Sequence, residues 1–381
     1  MRKLYYEDSS IQSFHATVTA CRQAEAGYEV ELSATAFYPE GGGQACDLGN
    51  LDGIPVLDVQ ERAQTVVHLC QAPLEVGKTV QGQIDWQRRL DLMQQHTGEH
   101  IVSGIVHRLF GYQNVGFHVG ADVMEVDFDG PIPAEALQEI VRLANEAVWQ
   151  DLPVKCWVPS PEELPSVTYR TKRALPWPVR IVQVGDVDSC ACCGVHTKTT
   201  GQVGLISIFS CVKFHQGVRL EMACGRRALD MLHRVYEQNR QVSQAFSARI
   251  LETGQAARQI NEALSQEKYR AVSLEKQLFT QKARMYAGCS RAVVFEPDLN
   301  PNQIRTLAQA ISAHCPLAAV FSPTGNGHSF CLAGTAEPIQ ALGKQLAEQL
   351  GARGGGKPGF YQGNIPATQS AIEDFFARIE A

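Results

Sequence analysis

His96 and His100 are four residues apart in a stretch whose apolar residues recur at helical spacing. That spacing puts both imidazoles on one face, one turn apart, where they can share a small cation. A second pair with the same separation, Cys192 and His196, lies far downstream in DSCACCGVHTK. Gly194 between them lets the backbone turn so that both side chains face inward. Thiolate and neutral imidazole are preferred zinc donors, and a His3Cys set suits one tetrahedral zinc ion per chain. Cys190 and Cys193 form a competing CxxC, so a cysteine-only site stays open at this point. Glu99 completes the string H-x-x-E-H, in which a glutamate activates water for one class of metallopeptidase. A peptidase of that class needs a downstream carboxylate ligand, and the downstream pair here is Cys-x-x-x-His. Glu99 can instead orient a ligand, move a proton, or be a solvated helix residue.

Three further patches carry chemistry. Gly41, Gly42 and Gly43 precede Gln44. Glycines bring backbone N–H groups close to a ligand, and the amide of Gln44 can read polar groups, although a tight turn in a barrel gives the same string. Arg170, Lys172, Arg173 and Arg180 are interleaved with Tyr169 and Trp177, a mixture that suits phosphates and unstacked bases. Arg88 and Arg89 stand just ahead of the two histidines. GARGGGKPGFYQG (351–363) lacks the GKS/T context of a nucleotide phosphate loop.

The elements that must hold these groups follow from patterning. The chain has 381 residues, 44% apolar and 19% charged, enough to build cores in two or three domains. A net charge of −6 leaves any nucleic-acid contact to local basic patches. The start, MRKLYYEDSS, has no apolar run of a signal peptide, and no window approaches a membrane span. A cytoplasmic location is expected, with the 12 cysteines reduced and most of them small buried hydrophobes. The fold class is α+β multidomain. Residues 1–85 read as a small β-barrel carrying the glycine-rich loop. Residues 86–225 read as an α+β metal-binding domain, with Leu90, Met93, Ile101, Ile105, Val106 and Leu109 marking a helix that stops near Gly111. Residues 226–286 contain no proline and a single glycine, and read as one long helix or two. Their apolar stripe must bury itself in an intrachain hairpin or in a homodimer. Residues 287–381 read as a compact α/β unit.

FYPEGGGQACDLG (37–49), QQHTGEH (94–100), CCGVH (192–196), GVRLEMACG (217–225) and GARGGGKPGFYQG (351–363) together resemble, in order and spacing, the alanyl-tRNA editing proteins called AlaX in their long form. The chain is also similar to the editing and C-terminal parts of alanyl-tRNA synthetase. The resemblance covers essentially the whole chain. It implies zinc held by His96, His100, Cys192 and His196, and a C-terminal DHH-associated domain that binds the tRNA body or supports dimerisation. It implies hydrolysis of seryl-tRNA(Ala), and of glycyl-tRNA(Ala) second. Gln44, Thr97 and Glu99 become the catalytic candidates, with Thr97 reading the serine hydroxyl. Gly41, Gly42, Gly43, Gln44 and Arg173 become the substrate-binding candidates. The pattern departs from the family at Cys193 and Val195, where glycine and threonine are usual, and Glu99 stands where many synthetases carry a small or hydroxyl residue. Nothing resembles the ATP-binding motifs of a class II synthetase, so editing without charging is expected. Two rivals stand beside this reading: an H-x-x-E-H peptidase, and a non-catalytic RNA-binding module with structural zinc.

Overall fold

The computed structural model describes residues 1–171, 177–334 and 336–379. By contacts the chain divides into two compact units, Met1–Gln241 and Val242–Ala381. Both mix helix and sheet, in line with an α+β multidomain chain.

The first unit opens with β1 (Arg2–Lys3), which pairs in parallel with β4 (Ala34–Thr35), and a single helical turn, α1 (Leu4–Glu7). The main body of this region is a closed barrel. Its strands are β2 (Ser13–Ala24), β3 (Gly27–Leu32), β5 (Gly49–Leu51), β6 (Ile54–Arg62), β7 (Thr65–Cys70) and β8 (Thr79–Ile84). They run in the order β2-β3-β7-β6-β5-β8 and every neighbouring pair is antiparallel. Strict alternation of buried and exposed residues, clearest along β8, fills the interior with Phe14, Val18, Val30, Leu32, Val59, Val66 and Val80. Closure leaves no unpaired edge.

Asp85 then caps the 25-residue helix α2 (Trp86–Phe110) by accepting from the Arg88 backbone N–H, and Gly111 ends it in the left-handed conformation. Every residue of α2 from Gln95 to Val106 is buried, including the polar run around the two histidines. Ile101, Val102, Ile105 and Val106 join a core with residues of β10 (Met124–Phe128), α3 (Ala136–Trp149) and β15 (Gly217–Cys224). The order β14-β15-β10-β9 describes one antiparallel sheet, with β9 (Asn114–Val119) and β14 (Ile206–Phe214) at its edges. A second sheet contains β11 (Val154–Trp157), β12 (Ile181–Val184) and β13 (Asp188–Ala191). Helix α4 (Gly225–Ala245) follows, with Leu229, Leu232, Val235 and Tyr236 exposed.

In the second unit, α5 (Thr253–Arg284) precedes a five-stranded sheet. The strands are β16 (Ala292–Phe295), β17 (Leu317–Thr324), β18 (Gly327–Gly334), β19 (Arg353–Gly355) and β20 (Phe360–Ile365), ordered β16-β17-β18-β20-β19. Only β16–β17 is parallel, so the sheet is mixed. Along β17, Ala318 and Val320 face α5 and α6 (Pro301–Ser312), while Ala319 and Phe321 face α7 (Ala336–Leu350) and α8 (Gln369–Arg378). Phe279 and Ala283 anchor the end of α5 in the first of these layers. The apolar stripe of α5 behaves otherwise: Ile260, Leu264, Val272, Leu274 and Leu278 are exposed. Among the described residues no helix is long and apolar enough to cross a membrane.

Candidate metal centre

Helix α2 and the loop after β13 bring four side chains of the first unit together. The donor atoms of His96, His100, Cys192 and His196 all lie within 4.8 Å of one another. Cys192 Sγ is 3.3 Å from His96 Nε2 and 3.7 Å from His196 Nε2. The three imidazole rings crowd at centroid separations of 5.4, 4.6 and 4.9 Å. The CCGVH loop approaches the first histidine of HTGEH so closely at Gly194 that only a glycine fits. A Cβ on Gly194 would stand 2.1 Å from His96 Cε1. Close approach, rather than the turn expected from sequence, is the reason for glycine there.

Hydrogen bonds behind the rings fix which nitrogen faces the cluster. Asp188 Oδ2 accepts from His100 Nδ1 at 2.9 Å, and Gln44 Oε1 accepts from His96 Nδ1 at 2.8 Å. An ionised carboxylate only accepts, so Nδ1 of His100 carries a proton and Nε2 is the nitrogen that faces the cluster. That Nε2 is buried and has no hydrogen-bond partner. Arg170 holds Asp188 in turn, donating from Nε and Nη2 at 2.7 and 2.8 Å. Burial disfavours an ionised Asp188, yet His100 and Arg170 overcome it and hold its carboxyl below the usual range. Burial likewise opposes charge on His100 and Cys192. The Asp188 hydrogen bond nonetheless lifts His100 well above an ordinary imidazole, and His96 and His196 draw the Cys192 thiol well down. Burial pushes His196 down to about 3, so it stays neutral. One thiolate and three inward-facing imidazoles are the donor chemistry of zinc, with ligand distances of about 2.0–2.3 Å. The residues present fit that ion.

Cys190 groups with His100 and Asp188 rather than with the three imidazoles, and burial raises its thiol to about 11. Cys193 is exposed. The loop that carries Cys192 is clamped from behind. Arg180 Nη1 donates to the carbonyls of Cys192 and Gly194 at 2.9 Å each, its guanidinium lies 4.7 Å over the Tyr6 ring, and Tyr6 Oη donates to the Cys193 carbonyl.

Beside the cluster lies a cavity of about 410 Å³, lined by Gly42, Gly43, Glu99, Asn114, Phe117 and Arg170 among others. Gly43 has φ +82° and its absent Cβ would meet Phe117 Cδ1 at 2.6 Å, so the glycine-rich loop is packed directly on the cavity wall.

Two stretches of the chain match models of known families. A family model described as tRNA synthetases class II (A) matches residues 2–88. The model of the threonyl and alanyl tRNA synthetase second additional domain matches 179–236, which includes Cys192 and His196. A mouse protein named alanyl-tRNA editing protein Aarsd1 is 28% identical over 95% of this chain and 94% of its own length. Along nearly its whole length the chain is similar to alanyl-tRNA editing proteins. A Pyrococcus horikoshii protein named alanyl-tRNA editing protein AlaX-L is 30% identical over 62% of this chain and 61% of its own. A Halorubrum lacusprofundi alanine–tRNA ligase is 30% identical over 98% of this chain but 42% of the ligase.

Several sequence-derived roles change in three dimensions. Thr97 is fully buried and accepts from Thr197 N and Oγ1 at 3.1 and 3.2 Å; it does not line the cavity, because it sits on the packed side of α2. Gln44 is buried behind His96 and orients that ring instead of lining the cavity. Gly41 closes a bridge with Gln44, while Gly42 and Gly43 reach the cavity. Arg173 and Lys172 lie outside the described residues. Arg170 and Arg180 are engaged inside the site, not free for phosphates. Arg89 is fully buried against Asp47 and cannot meet an RNA. Glu99 is buried, not a solvated helix residue. Sequence reasoning missed Asp188 and Asn114; only the position of Asp188, four residues before Cys192, offered a signal.

Proposed function

We propose that the cavity of the first unit receives the 3′-terminal aminoacyl ester of a wrongly charged tRNA(Ala) and hydrolyses it, with zinc held by His96, His100, Cys192 and His196. The observation that carries this is the unpartnered, buried Nε2 of His100 converging with two further imidazoles and a thiolate at the wall of a cavity. The likeness to alanyl-tRNA editing proteins supports the reaction class, ester hydrolysis on mischarged alanyl-tRNA. When bound, zinc supplies Lewis acidity next to the ester. The protein's own groups do the rest. Gln44 and Asp188 hold His96 and His100 in the ligating tautomer. Arg170 keeps Asp188 ionised. Gly42 and Gly43 bare their backbone at the cavity and Phe117 gives it an apolar wall.

Serine attached to alanine tRNA is the first substrate on this reading and glycine the second. A synthetase pocket discriminates weakly among small side chains, and a separate hydrolytic site is the physical remedy. The test compares deacylation of seryl-tRNA(Ala) and alanyl-tRNA(Ala) with and without a zinc chelator. Fast, chelator-sensitive loss of serine with alanine spared is expected. His100→Ala is expected to lose both zinc and deacylation; full activity in that variant would remove the ligand assignment.

A further inference from the structure

Glu99 is the one carboxylate among the residues that line the cavity, and no role in the metal cluster accounts for it. Its side chain is buried in the middle of α2, where an ionised group is costly without partners. It has two on one oxygen: Ser103 Oγ and Asn114 Nδ2 both donate to Oε1. Both of these donors reach the same oxygen, and Glu99 itself lines the cavity. Asn114 also lines the cavity, and because its amide N–H faces the carboxylate, its Oδ1 must be the other atom. That Oδ1 is buried and unpartnered. A buried acceptor without a donor marks a place that a donor fills in the loaded state. Arg170, the cavity's guanidinium, spends its hydrogen bonds two-fold on Asp188 and makes none to Glu99. The result is an unfilled amide oxygen next to a carboxylate that lines the cavity, beside the proposed reaction centre.

We propose that Glu99, braced by Ser103 and Asn114, is a specificity-determining group that binds the free α-ammonium of the aminoacyl ester. This rests on the deacylase reading above. A primary ammonium is a compact cation with three donors and no acceptor, which complements a carboxylate beside an unfilled amide oxygen. Serine and glycine esters carry the same ammonium, so Glu99 does not separate them. It separates esters with a free amine from those whose amine is acylated. The consequence is protection of N-blocked acyl-tRNAs, which lose the charge and gain bulk at the same atom.

The experiment uses the full, zinc-loaded chain and its Glu99→Gln variant, with seryl-tRNA(Ala) and N-acetylseryl-tRNA(Ala) as substrates. Wild type is expected to favour the free amine. Glu99→Gln should raise KM for seryl-tRNA(Ala) by about 10- to 100-fold, the worth of a charged hydrogen bond, with little change in kcat. Its kcat/KM for the N-acetyl substrate should stay within about twofold of wild type. A parallel fall of kcat on both substrates would make Glu99 a proton-moving group and overturn the proposal. Calorimetric titration with L-serinamide and N-acetyl-L-serinamide gives a readout independent of turnover. Serinamide should bind wild type and lose affinity in Glu99→Gln; equal binding to both proteins overturns the proposal even if the variant's kinetics are obscured by poor folding. A wild-type chain that hydrolyses no acyl-tRNA removes the deacylase reading, and the serinamide titration then still decides the role of Glu99.

Discussion

His68 and His100 are both buried imidazoles, and their neighbours give them opposite chemistry. His68 lies in the barrel between neutral groups: Nε2 is 2.8 Å from the Thr35 hydroxyl and Nδ1 is 3.1 Å from the Val30 carbonyl. Burial pushes it down to about 4. His100 meets the carboxylate of Asp188 and is lifted instead. The His68 environment has a consequence for stability. A folded-state value below the unfolded 6.5 means the unfolded chain takes the proton first as pH falls. Stability tied to His68 is complete above pH 6.5 and drains away down to about pH 4, by about 3 kcal/mol. Urea unfolding from pH 7 to 4 should therefore show wild type losing that much more than His68→Gln; parallel curves would contradict the assignment. At His100 the expectation concerns metal. Asp188→Asn removes the charge that orients the ring and is expected to weaken zinc affinity about 10- to 100-fold, read by chelator competition. The ligand residues themselves were legible in the sequence because a metal site needs a donor type and a spacing, and both are local. Asp188 and Asn114 were not, since what defines them is which side chain they back, and that is decided by packing across β13 and β9.

The helix α2 does two jobs that pull in different directions. It is buried all round at its centre, yet that centre is polar, so its hydrophobic content alone cannot seat it. An ion pair at its first turns helps. Arg89 and Asp47 are both fully buried and doubly hydrogen-bonded, with Arg89 also donating to the carbonyls of Ser9 and Ala36 at 2.9 and 2.5 Å. This pair ties α2 to the barrel. Asp47→Ala would strand a buried guanidinium and is expected to cost about 3–5 kcal/mol in chemical denaturation. A loss below about 1 kcal/mol would show the charge finding water or another partner. From sequence, Arg88 and Arg89 looked like one basic patch for RNA. Adjacent helical residues point about 100° apart, so two neighbouring arginines need not share a fate, and here only one is inside. The helix's limits were legible because Asp85 and Gly111 are chemically specific caps. The stripe on α4 and α5 was legible as a stripe, but the choice between an intrachain hairpin and a homodimer was not, since periodicity shows that a face is apolar and not what covers it.

At the scale of the molecule, each contact-defined unit owns its cores. The barrel and the α2 region supply two clusters to the first unit, and the mixed sheet separates two others in the second. All residues assigned to the cavity and the metal cluster belong to the first unit. A chain ending at Gln241 is therefore expected to unfold cooperatively and to hold one zinc ion, as measured by circular dichroism and metal analysis. It should keep kcat on seryl-tRNA(Ala) while KM rises if the second unit contributes tRNA contacts. A non-cooperative or metal-free fragment would show that residues beyond 241 complete the fold. The alternation of helix and strand made the second unit's class readable. The alternation left a mostly parallel and a mixed sheet both open, because connection lengths of this size serve antiparallel and parallel neighbours alike, and the sheet is mixed.

The two halves of the metal cluster are 96 residues apart from His96 to Cys192. During synthesis at about 5–20 residues per second, the first pair leaves the ribosome roughly 5–20 s before the second. Through that interval the nascent chain offers a cation only two imidazoles, a poor competitor for scarce zinc in the cell. The barrel and the apolar face of α2 meanwhile have the means to collapse without it. On the zinc reading proposed above, metal loading is expected to be a late event on an assembled scaffold, unlike a zinc finger that folds around its ion. Zinc-starved cells would accumulate a folded, idle protein that regains function on repletion without new synthesis.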